Sequence, residues 1–202
     1  MKMKRFFAAM LAITAMAMTG CGANKVENTE GVKFTATPSK DQITVKIEGG
    51  AKQELDLLIS AKLYDPSLMQ IADYNFDGYN DIAFPSNYND KNTIYQLWVY
   101  DAALGEFVEY KGFGDFYNPT LDAEKKQIHT VAYTDPVTTS TGVLEWRDGA
   151  FVTVAMTTKT QDGQGSWVIT EFAYNEETNT LDLVKAKTEP VEGYEEIVAS
   201  QE

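Results

Sequence analysis

Short runs of alternating apolar and polar residues, separated by turn formers, recur along the chain from Lys33 onward. Within Gln42–Glu48, the apolar residues Ile43, Val45 and Ile47 alternate with polar neighbours, which is the period-two pattern of a half-buried strand. Comparable runs follow at a spacing of about 8–14 residues, and none shows a sustained helical period. Only Gln53–Ser60 is ambiguous between a strand and a short helix. We therefore expect an all-β fold.

The turns between these runs predict hairpins, and hence an antiparallel meander. Asp148-Gly149 is a strong two-residue hairpin signal, because both positions of such a turn need φ > 0. Longer hairpin loops are predicted at DAALG, between Ile94–Tyr100 and Glu106–Lys111, and at NEETNT, between Ser166–Tyr174 and Leu181–Lys187. A propeller-like array, a sandwich and a barrel all fit this pattern. Identical propeller blades are not supported, since no strict repeat is present.

One run of nine residues, DYNFDGYND, has a spacing that favours binding of a hard cation. It supplies side-chain oxygens at positions 1, 3, 5 and 9 and a backbone carbonyl at position 7, which Ca²⁺ can accept as ligands. Gly78 follows the third of these side chains, where the chain must turn sharply. The predicted ligands are Asp73, Asn75, Asp77, the carbonyl of Tyr79, and Asp81. The alternative is a surface turn, because Asn, Asp and Gly are also the commonest turn formers.

The flanks of this loop exclude the commonest helical calcium site. An EF-hand needs a bidentate Glu at its twelfth position, and Phe84 stands there. The flanking runs, Leu68–Ala72 and Ile82–Phe84, are short, and Pro85 would stop a following helix. Oxygen ligands without Cys or His also argue against zinc. We therefore expect a calcium loop between two strands.

Residues 1–21 have the features of an export signal. Lys2, Lys4 and Arg5 precede an apolar run of 13 residues, Phe6–Met18, which is too short for a membrane span. The following Met-Thr-Gly-Cys resembles the lipobox of bacterial lipoproteins, which implies cleavage before Cys21 and acylation of its thiol. The resemblance implies an envelope protein held to the membrane by lipid alone. Gly22 in place of Asp favours the outer membrane where the host has one.

The predicted domain organisation follows from this signal. Residues 1–20 are the signal peptide, residues 21–32 a lipidated N-terminus with a flexible polar tether, and residues 33–202 a single domain. Cys21 is the only cysteine, so no disulfide can form within the mature chain. Residues 1–20 carry three basic and no acidic residues, so the net charge moves from −13 to −16 on their removal. Such a charge disfavours nucleic acid and anionic membrane surfaces and favours a basic partner.

The motif DYNFDGYNDIAFP resembles the D-x-N-x-D-G-x-x-D signature of FG-GAP and VCBS-type repeats, whose loops bind calcium in β-propeller blades. With IYQLWVYDAALGEFVEY and NPTLDAEKKQIHT, it is closer to secreted, calcium-binding, propeller-like bacterial proteins that inhibit lysozyme-type peptidoglycan hydrolases. Some of these serve as immunity proteins. The resemblance covers about residues 65–135 and implies the same five calcium ligands. It identifies no residues of an inhibitory surface.

Catalysis is not expected. His129 is the sole histidine and lies within a predicted strand, so a nucleophilic triad would have only this residue to build on. No pair of acidic residues stands out as a glycosidase pair. Tyr88, Tyr117 and Tyr133 lie in or near segments rich in Asn, Asp and Pro, where an exposed ring suits a basic protein or a sugar.

Three functions are consistent with these features, and two of them are favoured. The first is an envelope lipoprotein that inhibits a lysozyme-type hydrolase by steric occlusion, with calcium in a structural role. The second is a calcium-stabilised, adhesin-like or glycan-binding surface module without inhibitory activity. A third, a calcium-dependent enzyme acting on glycosides, ranks last because no motif positions a pair of acids.

Overall fold

A computed structural model describes residues 25–28, 31–59, 64–89 and 91–192 of the chain. These residues form strands and two short 3-10 helices, Pro66–Leu68 and Lys111–Asp115, and no α-helix. The predicted signal peptide and Cys21 lie outside the described residues. The strands are β1 Val26–Asn28, β2 Phe34–Pro38, β3 Gln42–Ile47, β4 Lys52–Asp56, β5 Gln70–Ala72, β6 Asp81–Tyr88, β7 Thr93–Asp101, β8 Glu106–Glu109, β9 Thr120–Asp122, β10 Gln127–Asp135, β11 Thr138–Arg147, β12 Ala150–Gln161, β13 Ser166–Asn175 and β14 Thr180–Pro190.

The strands form three sheets in which every pair is antiparallel and every neighbour is consecutive in the chain. The sheets are β1-β2-β3-β4, β5-β6-β7-β8 and β9-β10-β11-β12-β13-β14. Such order arises when each strand returns beside its predecessor through a short turn. The predicted all-β antiparallel meander is confirmed. No closed barrel or ring of blades is seen among the described residues, so the propeller-like part stays a prediction.

The second sheet is buried on both faces. Ile82 and Phe84 of β6 pack in one apolar cluster with residues of the first sheet, including Ile43 and Val45. Ala83 points the other way, into a second cluster with Leu97, Phe113, Ile128, Leu144 and Phe151. Because successive side chains of a strand alternate between faces, the run Ile-Ala-Phe fills both clusters at once. This sheet is therefore the structural centre of the described domain.

The turn at Asp148-Gly149 has the geometry that its sequence predicts. Both residues have positive φ, 49° and 85°, and the flanking residues Arg147 and Ala150 are paired. The hairpin β11–β12 continues well beyond the core, since β11 begins at Thr138 and β12 ends at Gln161. Its outer half is rich in threonine, which favours strands without supplying an apolar stripe.

The first sheet includes a strand that the sequence pattern assigns to the tether. Val26–Asn28 pairs with Phe34–Ala36 of β2, and the side chain of Asn28 is only 8% exposed. Its amide Nδ2 donates to the carbonyl of Val32 at 2.7 Å. The first sheet therefore begins at Val26 rather than at residue 33, and so lies closer to Cys21 along the chain.

Two further points concern the predicted elements. The ambiguous segment Gln53–Ser60 is a strand at Lys52–Asp56, while residues 60–63 fall outside the described part. Within the described ranges, no helix is long and apolar enough to cross a bilayer.

Candidate metal centre

The acidic loop joins β5 to β6, as the sequence predicts. Residues 73–80 connect the two antiparallel strands, and Asp81 is the first residue of β6. Gly78 has φ 93°, a conformation that costs glycine little, and Phe76 has φ 60°. The loop thus coils tightly enough to bring residues far apart in its sequence within hydrogen-bonding distance.

Asp81 is the fixed point of the loop. Its side chain is fully buried, and its Oδ2 accepts from the backbone amides of Tyr74 at 2.8 Å and Asn75 at 3.4 Å. Its Oδ1 accepts from the backbone amide of Tyr100 on β7 at 2.9 Å. One carboxylate therefore ties the start of the loop to a strand on the far side of β6.

The other predicted side-chain ligands close the loop on itself. Oδ1 of Asp73 accepts from the amide of Asp77 at 3.1 Å, and its Oδ2 accepts from Gly78 at 2.9 Å. Asn75 donates through Nδ2 to Oδ2 of Asp77 at 3.0 Å, and Oδ1 of Asp77 accepts from the amide of Tyr79 at 2.9 Å. The structure thus brings the four predicted side-chain ligands into one hydrogen-bonded loop.

The carboxylates of this loop disfavour one another's charged forms. Burial raises the pKa of Asp81, the backbone amides of Tyr100 and Tyr74 oppose this, and the charges of Asp77 and Asp73 add to the rise, so that the pKa of Asp81 is about 7. Burial also raises the pKa of Asp73, with Asp77 adding to the effect. Among the described residues, no Lys, Arg or His forms a salt bridge with these three carboxylates. A buried carboxylate without a cation is costly, and a bound cation would remove that cost.

The donor set fits Ca²⁺ in kind, although the loop is not arranged as a finished cage. Carboxylate and amide oxygens are the ligands that Ca²⁺ prefers. Yet no three acidic, histidine or cysteine side chains of the described chain converge as a metal-binding group. The side chains point instead to backbone amides of the loop. Asp73, Asn75 and Asp77 would have to turn some oxygens from these amides toward an ion, while Asp81 stays anchored.

The loop also contacts the N-terminal strand. Asn80 donates through Nδ2 to Oδ1 of Asn28 at 2.8 Å. The ring of Tyr79 packs against that of Tyr100, with centroids 5.4 Å apart. Sequence reasoning identifies neither Asn28 nor the Tyr100 amide, because both contacts join residues distant in the chain.

The remaining candidates do not assemble a second centre. His129 lies on β10 and is 41% exposed, with its Nε2 3.6 Å from Oδ2 of Asp122. Hydrogen bonds from Lys125 lower the pKa of Asp122, and that from His129 adds to this. Tyr88, Tyr117 and Tyr133 are exposed, as the composition of their segments predicts.

Comparison with known proteins gives a fold and no family. No protein-family model matches the chain, and no curated protein matches it. A solved Xanthomonas protein, described as related to a type IV secretion system, is similar with a TM-score of 0.57 and 14% identity. The match covers 80% of this chain and 85% of that protein. A Bacteroides fragilis protein of unknown function aligns over 84% of this chain and 94% of its own length, at 10% identity. Its TM-score of 0.30 carries no structural argument. The Xanthomonas match shows a shared fold.

Proposed function

We propose that this protein is a calcium-stabilised binding protein of the bacterial cell envelope, anchored by lipid at Cys21. In this proposal its partner is a lysozyme-type peptidoglycan hydrolase, which it inhibits by covering the substrate cleft. The observation that carries the calcium role is Asp81, a fully buried carboxylate that joins the loop to β7 and has no salt-bridge partner among the described residues. A cation in the loop would neutralise this charge and fix β5, β6 and β7 relative to one another.

Binding without chemistry is the role that this scaffold supports best. The second sheet is held between two apolar clusters, so the loops at its ends are displayed on a rigid support. The consecutive antiparallel sheets are of the kind found in propeller blades, and we extend the proposal to a propeller-like arrangement. A net charge of −13 would attract the basic surface of many lysozymes. The Xanthomonas relative is described in connection with a bacterial secretion system, and an envelope role would agree with that description.

The proposal is tested with the mature protein, purified after processing by the cell. It is mixed with lysozymes of the c, g and i types. Turbidity loss of peptidoglycan suspensions measures inhibition, and isothermal calorimetry measures binding, each with calcium and with EDTA. We expect at least one lysozyme to be inhibited stoichiometrically, with weaker inhibition in EDTA. Folded, calcium-loaded protein that inhibits none of the three types would overturn the hydrolase proposal. Retention on polysaccharide in the same preparation would then identify a glycan-binding module instead.

A further inference from the structure

Three exposed tyrosines lie on chain segments that meet at one end of the second sheet, and we call this region the tyrosine end. Tyr88 closes β6, Tyr117 lies in the connection between the second 3-10 helix and β9, and Tyr133 lies near the end of β10. Their exposed fractions are 38%, 42% and 40%. Tyr117 pairs with Ile94 of β7, and its carbonyl accepts from the amide of Val131 on β10 at 3.0 Å. Tyr88 pairs with Thr93 of β7, so the three segments that carry the tyrosines meet at this end of the sheet.

Two asparagine side chains hold this region in place. Asn92 accepts from the amide of Tyr133 at 3.0 Å and donates to its carbonyl at 2.8 Å. Asn118 accepts from the amide of Thr93 at 2.9 Å and donates to the carbonyl of Val131 at 2.7 Å. The two asparagine side chains also bond to each other at 3.2 Å. Loops held in one conformation lose little entropy when they bind, which favours affinity.

The chemistry of the tyrosine end is that of a protein-binding surface. Tyrosine offers a large, rigid area with a polar tip, and it is enriched at binding hot spots and in antibody combining sites beside Asn and Ser. One of the three tyrosines, Tyr133, lines a shallow, open groove of about 340 Å³ together with Asn89, Lys91, Asp135 and Pro136.

The charges select the class of partner. The groove is lined by one basic residue, Lys91, and one acidic residue, Asp135, so its local charge is nearly balanced. The whole chain is strongly acidic, and its field attracts a basic protein over long range. The field thus governs the rate of encounter, and the tyrosines govern the lifetime of the complex.

We infer that the tyrosine end is the docking surface for a basic protein, and this rests on the proposed function. Asp81 starts β6 beside the acidic loop, and Tyr88 ends it, so about seven residues, or about 23 Å, separate the two. The docking surface and the candidate metal centre are therefore at opposite ends of one strand. Calcium would act on binding only through the rigidity of the sheet.

The test compares two variants of the full chain, binding to the lysozyme that wild type inhibits. The first replaces Tyr88, Tyr117 and Tyr133 by alanine. The control replaces two exposed apolar residues by alanine. Leu104 lies in the turn between β7 and β8, at the opposite end of the sheet, and Val108 lies on β8. Surface plasmon resonance at several salt concentrations separates association from dissociation, and circular dichroism checks folding. A third variant, with the three tyrosines replaced by phenylalanine, keeps the rings.

We expect the alanine variant to bind at least about 30-fold more weakly, with the loss mainly in the dissociation rate. The control should bind as wild type does, the phenylalanine variant should recover most of the affinity, and added salt should slow association of all variants. A tyrosine variant that is folded and inhibits like wild type would overturn the docking surface while leaving the inhibitor proposal intact. Wild type that binds no lysozyme would overturn both. Loss of binding to soluble peptidoglycan oligosaccharides, with lysozyme binding unchanged, would assign the surface to a glycan.

Discussion

Replacing Asp81 by asparagine tests whether this residue is a calcium ligand or only a hydrogen-bond acceptor. The two carboxylate oxygens accept from different backbone amides, Oδ2 from Tyr74 and Oδ1 from Tyr100. In the asparagine variant one of these oxygens becomes an NH₂ group, so at least one buried amide loses its acceptor whichever way the side chain lies. Leaving a buried donor unsatisfied costs about 1–3 kcal/mol. If hydrogen bonding were the only role of Asp81, the variant would be destabilised by this amount under all conditions.

The buried charge gives a second contribution that depends on pH. Without calcium, the pKa of Asp81 is raised from 3.8 to about 7. A folded-state pKa above the unfolded one gives stability that is present below about pH 4 and is lost as the pH rises through about 7. At 1.36 kcal/mol per pH unit, the loss is about 4 kcal/mol. In EDTA at about pH 8, asparagine should therefore match or exceed wild type in stability, because relief of the charge outweighs the lost hydrogen bond.

Calcium should reverse this order of stability. An ion bound only to the folded state stabilises wild type by about 2.7 kcal/mol at a hundredfold excess over Kd. A variant that does not bind calcium gains nothing from it. The difference in unfolding free energy between wild type and variant should therefore change by about 2.7 kcal/mol between EDTA and excess calcium. For a domain of this size, the difference corresponds to about 5–11 °C in Tm.

Thermal melts followed by circular dichroism, in EDTA and in excess calcium at about pH 5 and about pH 8, measure both effects. Asp41→Asn is the matched control, since Asp41 is exposed and lies outside the loop. A variant that melts below wild type by the same margin in calcium and in EDTA would refute the reasoning. That result would leave the loop as a network of turns without a metal. A shift produced equally by magnesium would point to a less selective site.

Three further outcomes follow from the structure. Phe84→Ala should lower stability by about 3–5 kcal/mol in denaturant unfolding, because Phe84 is fully buried at the centre of the second sheet, whereas Leu104→Ala should stay within about 0.5 kcal/mol. Asn118→Ala should cost about 1 kcal/mol more than Asn118→Gly, because Asn118 has φ 47° and only glycine adopts this freely; equal losses would show that the amide alone matters. Cys21→Ser should move the protein from the membrane to the soluble fraction of the cell envelope, and unchanged fractionation would exclude the lipid anchor.

Local features of the fold could be predicted from the sequence, because they depend on residues close together in the chain. The acidic loop lies between two strands, and Asp148-Gly149 forms its hairpin, since spacing and turn chemistry fix such features. The division into three sheets could not be predicted. Consecutive hairpins look alike whether the next strand continues a sheet or begins another.

Contacts of the candidate site between residues distant in the chain could not be predicted from the sequence either. Nothing near Tyr100 indicates that its amide serves Asp81, and nothing near Asn92 indicates that its side chain holds Tyr133. Such contacts depend on how strands pack after they form. The full lengths of β11 and β12 also cannot be predicted from an apolar pattern, because the outer halves of these strands carry threonine rather than an apolar stripe.

The pairing of Val26–Asn28 with β2 sets how far the protein can stand from a membrane. If lipid holds Cys21, only four residues lie between the anchor and the first strand, and the five residue steps from Cys21 to Val26 span at most about 18 Å when fully extended. A tether running to residue 33 would have allowed about 43 Å. The domain would therefore sit close to the bilayer, with little freedom to search the space above it. A soluble partner would have to approach the membrane, because the protein would bind it only in the layer next to the leaflet that holds the anchor.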